Sequence, residues 1–180
     1  ELLGYPSEIP ENGYHGHDII ETAQAIIDQD GDAYLSMAEP ERLAYFKDRA
    51  YAEKLKALRQ DLAAFNVHYD NWFSERTLHP DAIRAACDEL KKRGKAYEKD
   101  GALWLKSTDY GDDKDRVIIR DNGVPTYLAA DIAYHKNKYE RGFRKMINIW
   151  GADHHGYVAR VKASMAALGY DPSQLEVLLL

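Results

Sequence analysis

The sequence predicts an α/β protein: a parallel sheet with covering helices in the last third, preceded by a helical segment and a small antiparallel sheet. Three observations predict it. After residue 125 the pattern runs helix, strand, helix, strand in short order, as it does where parallel strands are joined by crossover helices. The last strand, "LEVLLL", is a continuous apolar run, the composition of a strand covered on both faces. Upstream, "ALWLK" and "RVIIR" read as two strands flanking an acidic loop, with a helix before them.

Composition bounds the function. A chain of 180 residues, 45% of them hydrophobic, is long enough to bury a core and is near the size of one domain. The net charge of −6 gives no support for autonomous nucleic-acid binding, although residues 136–145 carry several positive charges. One cysteine, Cys87, allows neither an internal disulfide nor a cysteine-based zinc cluster, and its helical surroundings suit a packed thiol. No apolar run approaches the roughly 18 residues of a membrane span and no signal peptide opens the chain, so a cytoplasmic protein is expected. The chain opens at "ELLGYP" without an initiator methionine and stops on the apolar "LEVLLL". A piece of a longer protein is therefore expected.

Taken in order, residues 10–13 ("PENG") are turn chemistry. Residues 18–28 carry apolar side chains at helical spacing, and Gly31 ends that helix. A long amphipathic helix follows from Pro40 to Phe65, with Leu43, Phe46, Ala50, Leu55, Leu58, Leu62 and Phe65 on one stripe; a packed core face is expected of it. Pro80 opens another helix, which Gly94 closes in the usual C-cap position. The strands at 102–106 and 116–120 come next, then a tight turn at Asn122-Gly123. Thr126 is placed to cap a helix over residues 127–141, closed by Gly142. Residues 145–150 form a strand, 157–168 a helix closed by Gly169, and 175–180 the last strand.

In an open parallel sheet, ligands bind beyond the carboxyl ends of the strands. "GADHHG" (residues 151–156) lies there, between a strand and a helix. Gly151 lets backbone approach a ligand, and the helix start after it favours anions. Asp153 could bind hydroxyls, and His154 and His155 could donate hydrogen bonds. A polar turn without chemistry has the same spacing. Tyr127 and Asp131 are four apart on one helix and share a face; an aromatic hydroxyl beside a carboxylate suits a guanidinium or ammonium ligand. A surface helix with Asp131 paired to Lys138 or another neighbour is the alternative. His15 and His17 have spacing that metal ligands also use, while His68, His79 and His135 stand alone. The acidic loop at 109–115 lacks the regular spacing of a calcium loop.

Read together, "ENGYHG", "NWFSE", "GALWL", "GDDKDRVIIRDNGVPTYLAADIAYHKNKYERGF" and "INIWGADHHGYVARVKASMAALGY" closely resemble arginyl-tRNA synthetases of the bacterial type, in order and along essentially the whole chain. That family belongs to the class I aminoacyl-tRNA synthetases. The resemblance implies a Rossmann-type catalytic domain that activates arginine with ATP and Mg²⁺ and transfers it to tRNA(Arg), with no tightly bound cofactor and a monomeric enzyme. It implies arginine-binding roles for Tyr127, Asp131 and His154, and ATP- or adenylate-binding roles for Gly151, Asp153 and His155. No residue is carried over as a catalytic group or a metal ligand, since the expected catalysis is positioning and electrostatic stabilisation. On this resemblance residues 1–66 are a helical segment of an insertion, 67–122 its small sheet with a helix, and 123–180 the second half of the catalytic domain.

Two features of the family are missing from the chain. His15-Gly16-His17 lacks the intervening residue of the H-x-G-H signature, and Lys145-Met146 is followed by Ile147-Asn148 rather than by the rest of K-M-S-K. Two rivals remain: a metal-dependent phosphoesterase of the D-H-H type, and a non-catalytic synthetase-like binding module. The phosphoesterase would carry stoichiometric manganese and needs an Asp-x-Asp after an N-terminal strand, which is not found here. With both phosphate-stabilising signatures absent, the purified chain is expected to show no arginine-dependent ATP–pyrophosphate exchange. Measurable exchange by this chain alone would contradict that reading.

Overall fold

The computed structural model describes residues 1–7, 9, 11 and 13–180, so Pro10 and Asn12 of the expected first turn lie outside the described residues. The chain divides into two units, Glu1–Asn71 and Trp72–Leu180.

The first unit is helical. Helix α1 (His17–Asp30) ends at Gly31, whose φ of 62° is a conformation that glycine adopts at no steric cost. Helix α2 (Glu39–Ala64) starts with Pro40 and two acidic residues in its first turn, complementing the helix dipole. Arg49 ties the two helices together: its guanidinium donates to Asp30 at 2.8 Å, Gln29 at 2.6 Å and Tyr45 at 3.0 Å. Tyr34 stacks on Tyr45 with ring centroids 4.4 Å apart, and Lys54 pairs with Asp18 at 2.8 Å. The apolar stripe of α2 is not a buried core within this unit. No residue of α2 is buried; Leu43, Leu58 and Phe65 are exposed, Phe65 to 85%. Two helices and one short 3-10 turn have too few faces to close over a 26-residue stripe.

The second unit holds the core. Helix α3 (Asp81–Lys92) buries Ile83, Ala86, Cys87 and Leu90, spaced 3, 4 and 7 residues from the first. Burial pushes the Cys87 thiol up to about 12, as expected of a packed cysteine and not of a nucleophile. Strand β1 (Ala96–Lys99) turns through Asp100 and Gly101, both at positive φ, into β2 (Ala102–Leu105). The hairpin pairs Lys99 with Ala102 and Ala96 with Leu105, and β3 (Arg116–Ile119) adds antiparallel to β2. The antiparallel sheet thus has three strands instead of the expected two.

Helix α4 (Tyr127–Glu140) is the centre of this unit. Leu128, Ala129, Ala130, Ile132, Ala133, His135 and Tyr139 are all buried, so apolar contact surrounds most of its circumference. It packs between α3 and α5 (Val158–Ala167). Thr126 occupies the N-cap position but does not cap with its side chain. Its hydroxyl donates instead to the carbonyls of Val117 and Ile118, and its amide to Ile118, which sews the start of α4 to β3. Strands β4 (Met146–Trp150) and β5 (Leu175–Leu179) pair in parallel with α5 as their connection, Met146 opposite Leu175 and Trp150 opposite Leu179. The parallel crossover expected from the sequence is present. Met146 and Asn148 are turned to the core, whereas Ile147 and Ile149 are 52% and 64% exposed on the other face.

Candidate functional site

The turn after β4 is placed by the parallel pair. Leu180 donates to the Trp150 carbonyl and Ala152 to the Leu180 carbonyl, so the ladder carries the chain to Gly151. Residues Ala152–Tyr157 form a 3-10 helix that runs directly into α5. Gly151 itself is extended, at φ −63°, and a Cβ there would come within 2.6 Å of an Asp153 carboxylate oxygen. His154 Nδ1 donates to Asp153 at 2.9 Å, and its ring lies 6.1 Å from the Trp150 ring. Asp153 and His155 are exposed.

Asp131 is the residue that the fold constrains most. It stands one turn into α4, partly buried, and accepts a hydrogen bond from the Tyr157 hydroxyl at 2.8 Å. Burial is the largest influence on its carboxyl and pushes it above the usual range. Tyr157, Lys138 and His154 act in the opposite direction, while Glu75 adds to the rise. Burial likewise drives the Tyr157 phenol up, so it stays protonated and donates. Among the described residues no cation forms an ion pair with Asp131. Lys138, the neighbour that the sequence offered for such a pair, instead donates to Asn148 at 3.2 Å and sits 4.2 Å from the Tyr134 ring centroid.

Behind Asp131 lies a buried polar chain. His135 Nδ1 donates to the Asp131 carbonyl at 2.8 Å, and its Nε2 accepts from the Asn148 amide at 2.8 Å. This pattern requires the neutral ring with its proton on Nδ1. Burial lowers the ring's affinity for a second proton to a pKa of about 4. Asn148 belongs to β4, so the chain fixes α4 against the strand that delivers Gly151.

The structure therefore gathers part of the constellation expected from the sequence. Asp131 meets the turn after β4 through Tyr157, whose ring is edge-on to both Trp150 and His154 at 5.7 and 6.4 Å. Tyr127, 83% exposed, makes no hydrogen bond to Asp131 among the described residues; it lies at the start of α4 and lines two shallow cavities of about 260 and 220 Å³. Sequence reasoning missed Tyr157, Asn148 and the pairing role of His135. Tyr157 is 26 residues from Asp131, and no local spacing signals that contact. Among the described residues no three His, Cys, Asp or Glu side chains are placed to hold a metal ion.

Residues 34–179 match the family described as tRNA synthetases class I (R), catalytic domain, and the chain belongs to that family. Among its relatives, the arginine–tRNA ligase of Moorella thermoacetica is 54% identical over 181 residues, and that of Desulfitobacterium hafniense 50%. Each match covers all of this chain and 32% of the relative, so the chain spans about a third of their length. The solved structure of an arginyl-tRNA synthetase from Campylobacter jejuni superposes with a TM-score of 0.88 at 43% identity, over 99% of this chain and 39% of that one. The Thermus thermophilus arginyl-tRNA synthetase shares the fold, with a TM-score of 0.60 at 17% identity over 99% of this chain and 37% of that one. No described helix is long and apolar enough to cross a membrane.

The His135 chain has a consequence for stability. A free histidine titrates near 6.5, whereas the folded ring titrates near 4, so between those values the unfolded chain binds a proton that the native ring refuses. Native stability is then lost as pH falls from about 6.5 towards 4, by roughly 3 kcal/mol in full. Urea unfolding at several pH values should show this slope in the wild type and a flatter one in His135→Gln. Equal slopes would mean that the ring is not held neutral.

Proposed function

We propose that this chain is the portion of an arginine–tRNA ligase that receives the side chain of the substrate amino acid, in an enzyme that activates arginine with ATP–Mg²⁺ and transfers it to tRNA(Arg). The observation that carries the reading is the Asp131 carboxylate, partly buried, oriented by Tyr157 and without an ion pair among the described residues. A buried carboxylate of this kind is costly alone and favourable with a hydrogen-bonding cation. A planar guanidinium fits it, because it donates two parallel hydrogen bonds while Tyr157 keeps the carboxylate from turning.

On this reading Asp131 pairs with the guanidinium, and Tyr127 and His154 flank the bound amino acid. Gly151, Asp153 and His155 line the path of ATP and the adenylate: Gly151 through close backbone approach, the other two through hydrogen bonds to hydroxyls or phosphate oxygens. Tyr157 is a positioning residue, acting through Asp131. The chemistry is an in-line attack by the arginine carboxylate on the α-phosphate, which asks the protein for alignment and charge stabilisation more than for covalent work. Residues 1–66 and 67–122 would then be the helical and small-sheet parts of an insertion, and 123–180 the second half of a Rossmann-type domain. We further propose a monomeric, cytoplasmic enzyme. The family membership and the arginine–tRNA ligase relatives support this reading over a D-H-H phosphoesterase or a non-catalytic module.

The test is arginine-dependent ATP–pyrophosphate exchange by the full enzyme. Asp131→Asn removes the charge that a guanidinium needs and should weaken arginine binding on the order of 100-fold, with KM for ATP nearly unchanged. Tyr157→Phe removes one hydrogen bond and should raise KM for arginine roughly five- to tenfold. Wild-type KM for arginine in Asp131→Asn would sink the proposal.

A further inference from the structure

Asp131, His135 and Lys138 follow one another at intervals of four and three residues along α4, so they share one stripe of that helix. Asn148 of β4 faces the same stripe. Its side-chain amide donates to His135 Nε2 at 2.8 Å, and its side-chain oxygen accepts from Lys138 Nζ at 3.2 Å. Among the described residues these are the hydrogen bonds that join side chains of α4 to β4. His135 and Asn148 are 2% and 7% exposed. Lys138 forms no ion pair among the described residues, and burial lowers its hold on its proton. Met146, the other residue of β4 turned to the core, makes apolar contact, which has no preferred direction.

An ammonium can only donate, so Lys138 sets which end of the Asn148 amide faces which partner. With the oxygen held by Lys138, the NH₂ points at His135 and Nε2 must accept. The ring proton then sits on Nδ1 and is donated to the Asp131 carbonyl at 2.8 Å. The hydrogen bonds run one way, from Lys138 through Asn148 and His135 to the backbone of the residue that carries the carboxylate. Hydrogen bonds are directional where apolar packing is not, so this chain fixes the placement of α4 on β4, just before Gly151. We propose that Lys138 and Asn148 are positioning residues for adenylate formation, setting the distance between Asp131, which holds one end of arginine, and the Gly151 turn, which lines the path of ATP. The proposal rests on the roles given above to Asp131 and Gly151. A shift of α4 against β4 carries the arginine carboxylate away from the α-phosphate while the contacts at each end of the site stay intact. The loss then falls on the rate of the step and not on the affinity for either substrate.

The full enzyme is assayed for arginine-dependent ATP–pyrophosphate exchange. Asn148→Leu, close in volume, removes both bonds and should lower kcat roughly 10- to 100-fold, with KM for arginine and for ATP within about twofold of wild type. Lys138→Met keeps the stem, loses the donor and should lower kcat by less. Asn148→Asp keeps the bond to Lys138 but offers His135 an acceptor in place of a donor, and should lower kcat as well. Its His135 ring must then carry a proton on Nε2, whereas the wild-type ring carries it on Nδ1; the ¹⁵N shifts of the labelled histidine side chain report the difference. Thermal unfolding identifies the folded variants, and the isosteric Asn148→Asp decides the matter where Asn148→Leu does not fold. Wild-type kcat in the folded variants overturns the proposal. A loss confined to KM for arginine also overturns it, as does a wild-type His135 protonated on Nε2. Asp131→Asn, assayed alongside, separates this failure from failure of the underlying reading. Wild-type KM for arginine in Asp131→Asn removes that reading, whereas a raised KM there beside wild-type kcat in the Asn148 and Lys138 variants removes only the positioning role.

Discussion

A carboxylate withdrawn from water must be hydrogen-bonded, paired or protonated, and the second unit of this protein is arranged around that constraint at Asp131. The helix that carries it is buried on most of its circumference, so the backbone cannot swing the group outward. Tyr157 holds one oxygen, and among the described residues no cation forms an ion pair with the group. His135 and Asn148, directly behind, lock the same turn of α4 to β4. What remains is a fixed acceptor on a rigid wall, the condition for recognising a cation by shape as well as by charge.

The positive charge nearby is kept apart from it. Arg160 lies over the ring of the tyrosine whose hydroxyl serves Asp131, so one side chain separates a carboxylate on one side from a guanidinium on the other. Arg116 is occupied by two aspartates and Lys138 by Asn148 and Tyr134. None of these positive groups forms an ion pair with Asp131 among the described residues.

Much of the fold was legible in the sequence wherever one local signal dominated. Glycines after α1, α3, α4 and α5 marked helix ends, and the change of period after residue 125 disclosed the parallel crossover. Strand β1 was missed because "AYEK" is half charged and sits on a surface ribbon, although Asp100-Gly101 is a strong two-residue hairpin signal. The α2 stripe has the period of a core helix, yet its burial depends on what packs against it, which period cannot report. Thr126 has the chemistry of a cap and a different partner, because β3 presents carbonyls within 3.1 and 3.2 Å of its hydroxyl. Among the candidates, Tyr127 and Asp131 were singled out by helical spacing and the turn at 151–156 by its place after a strand. The residue that joins them, Tyr157, is distant in sequence and follows only from the packing of α5 on α4.

On the proposed function, Asp131 receives the guanidinium of the substrate. Isothermal calorimetry of the full enzyme with arginine and with citrulline, which replaces the guanidinium by a neutral urea of nearly the same shape, tests it most directly. Citrulline is expected to bind at least about 100-fold more weakly, the loss expected when a buried carboxylate is left without its charged partner. Asp131→Asn is expected to erase most of that difference. Equal affinities for the two ligands in the wild type would contradict it.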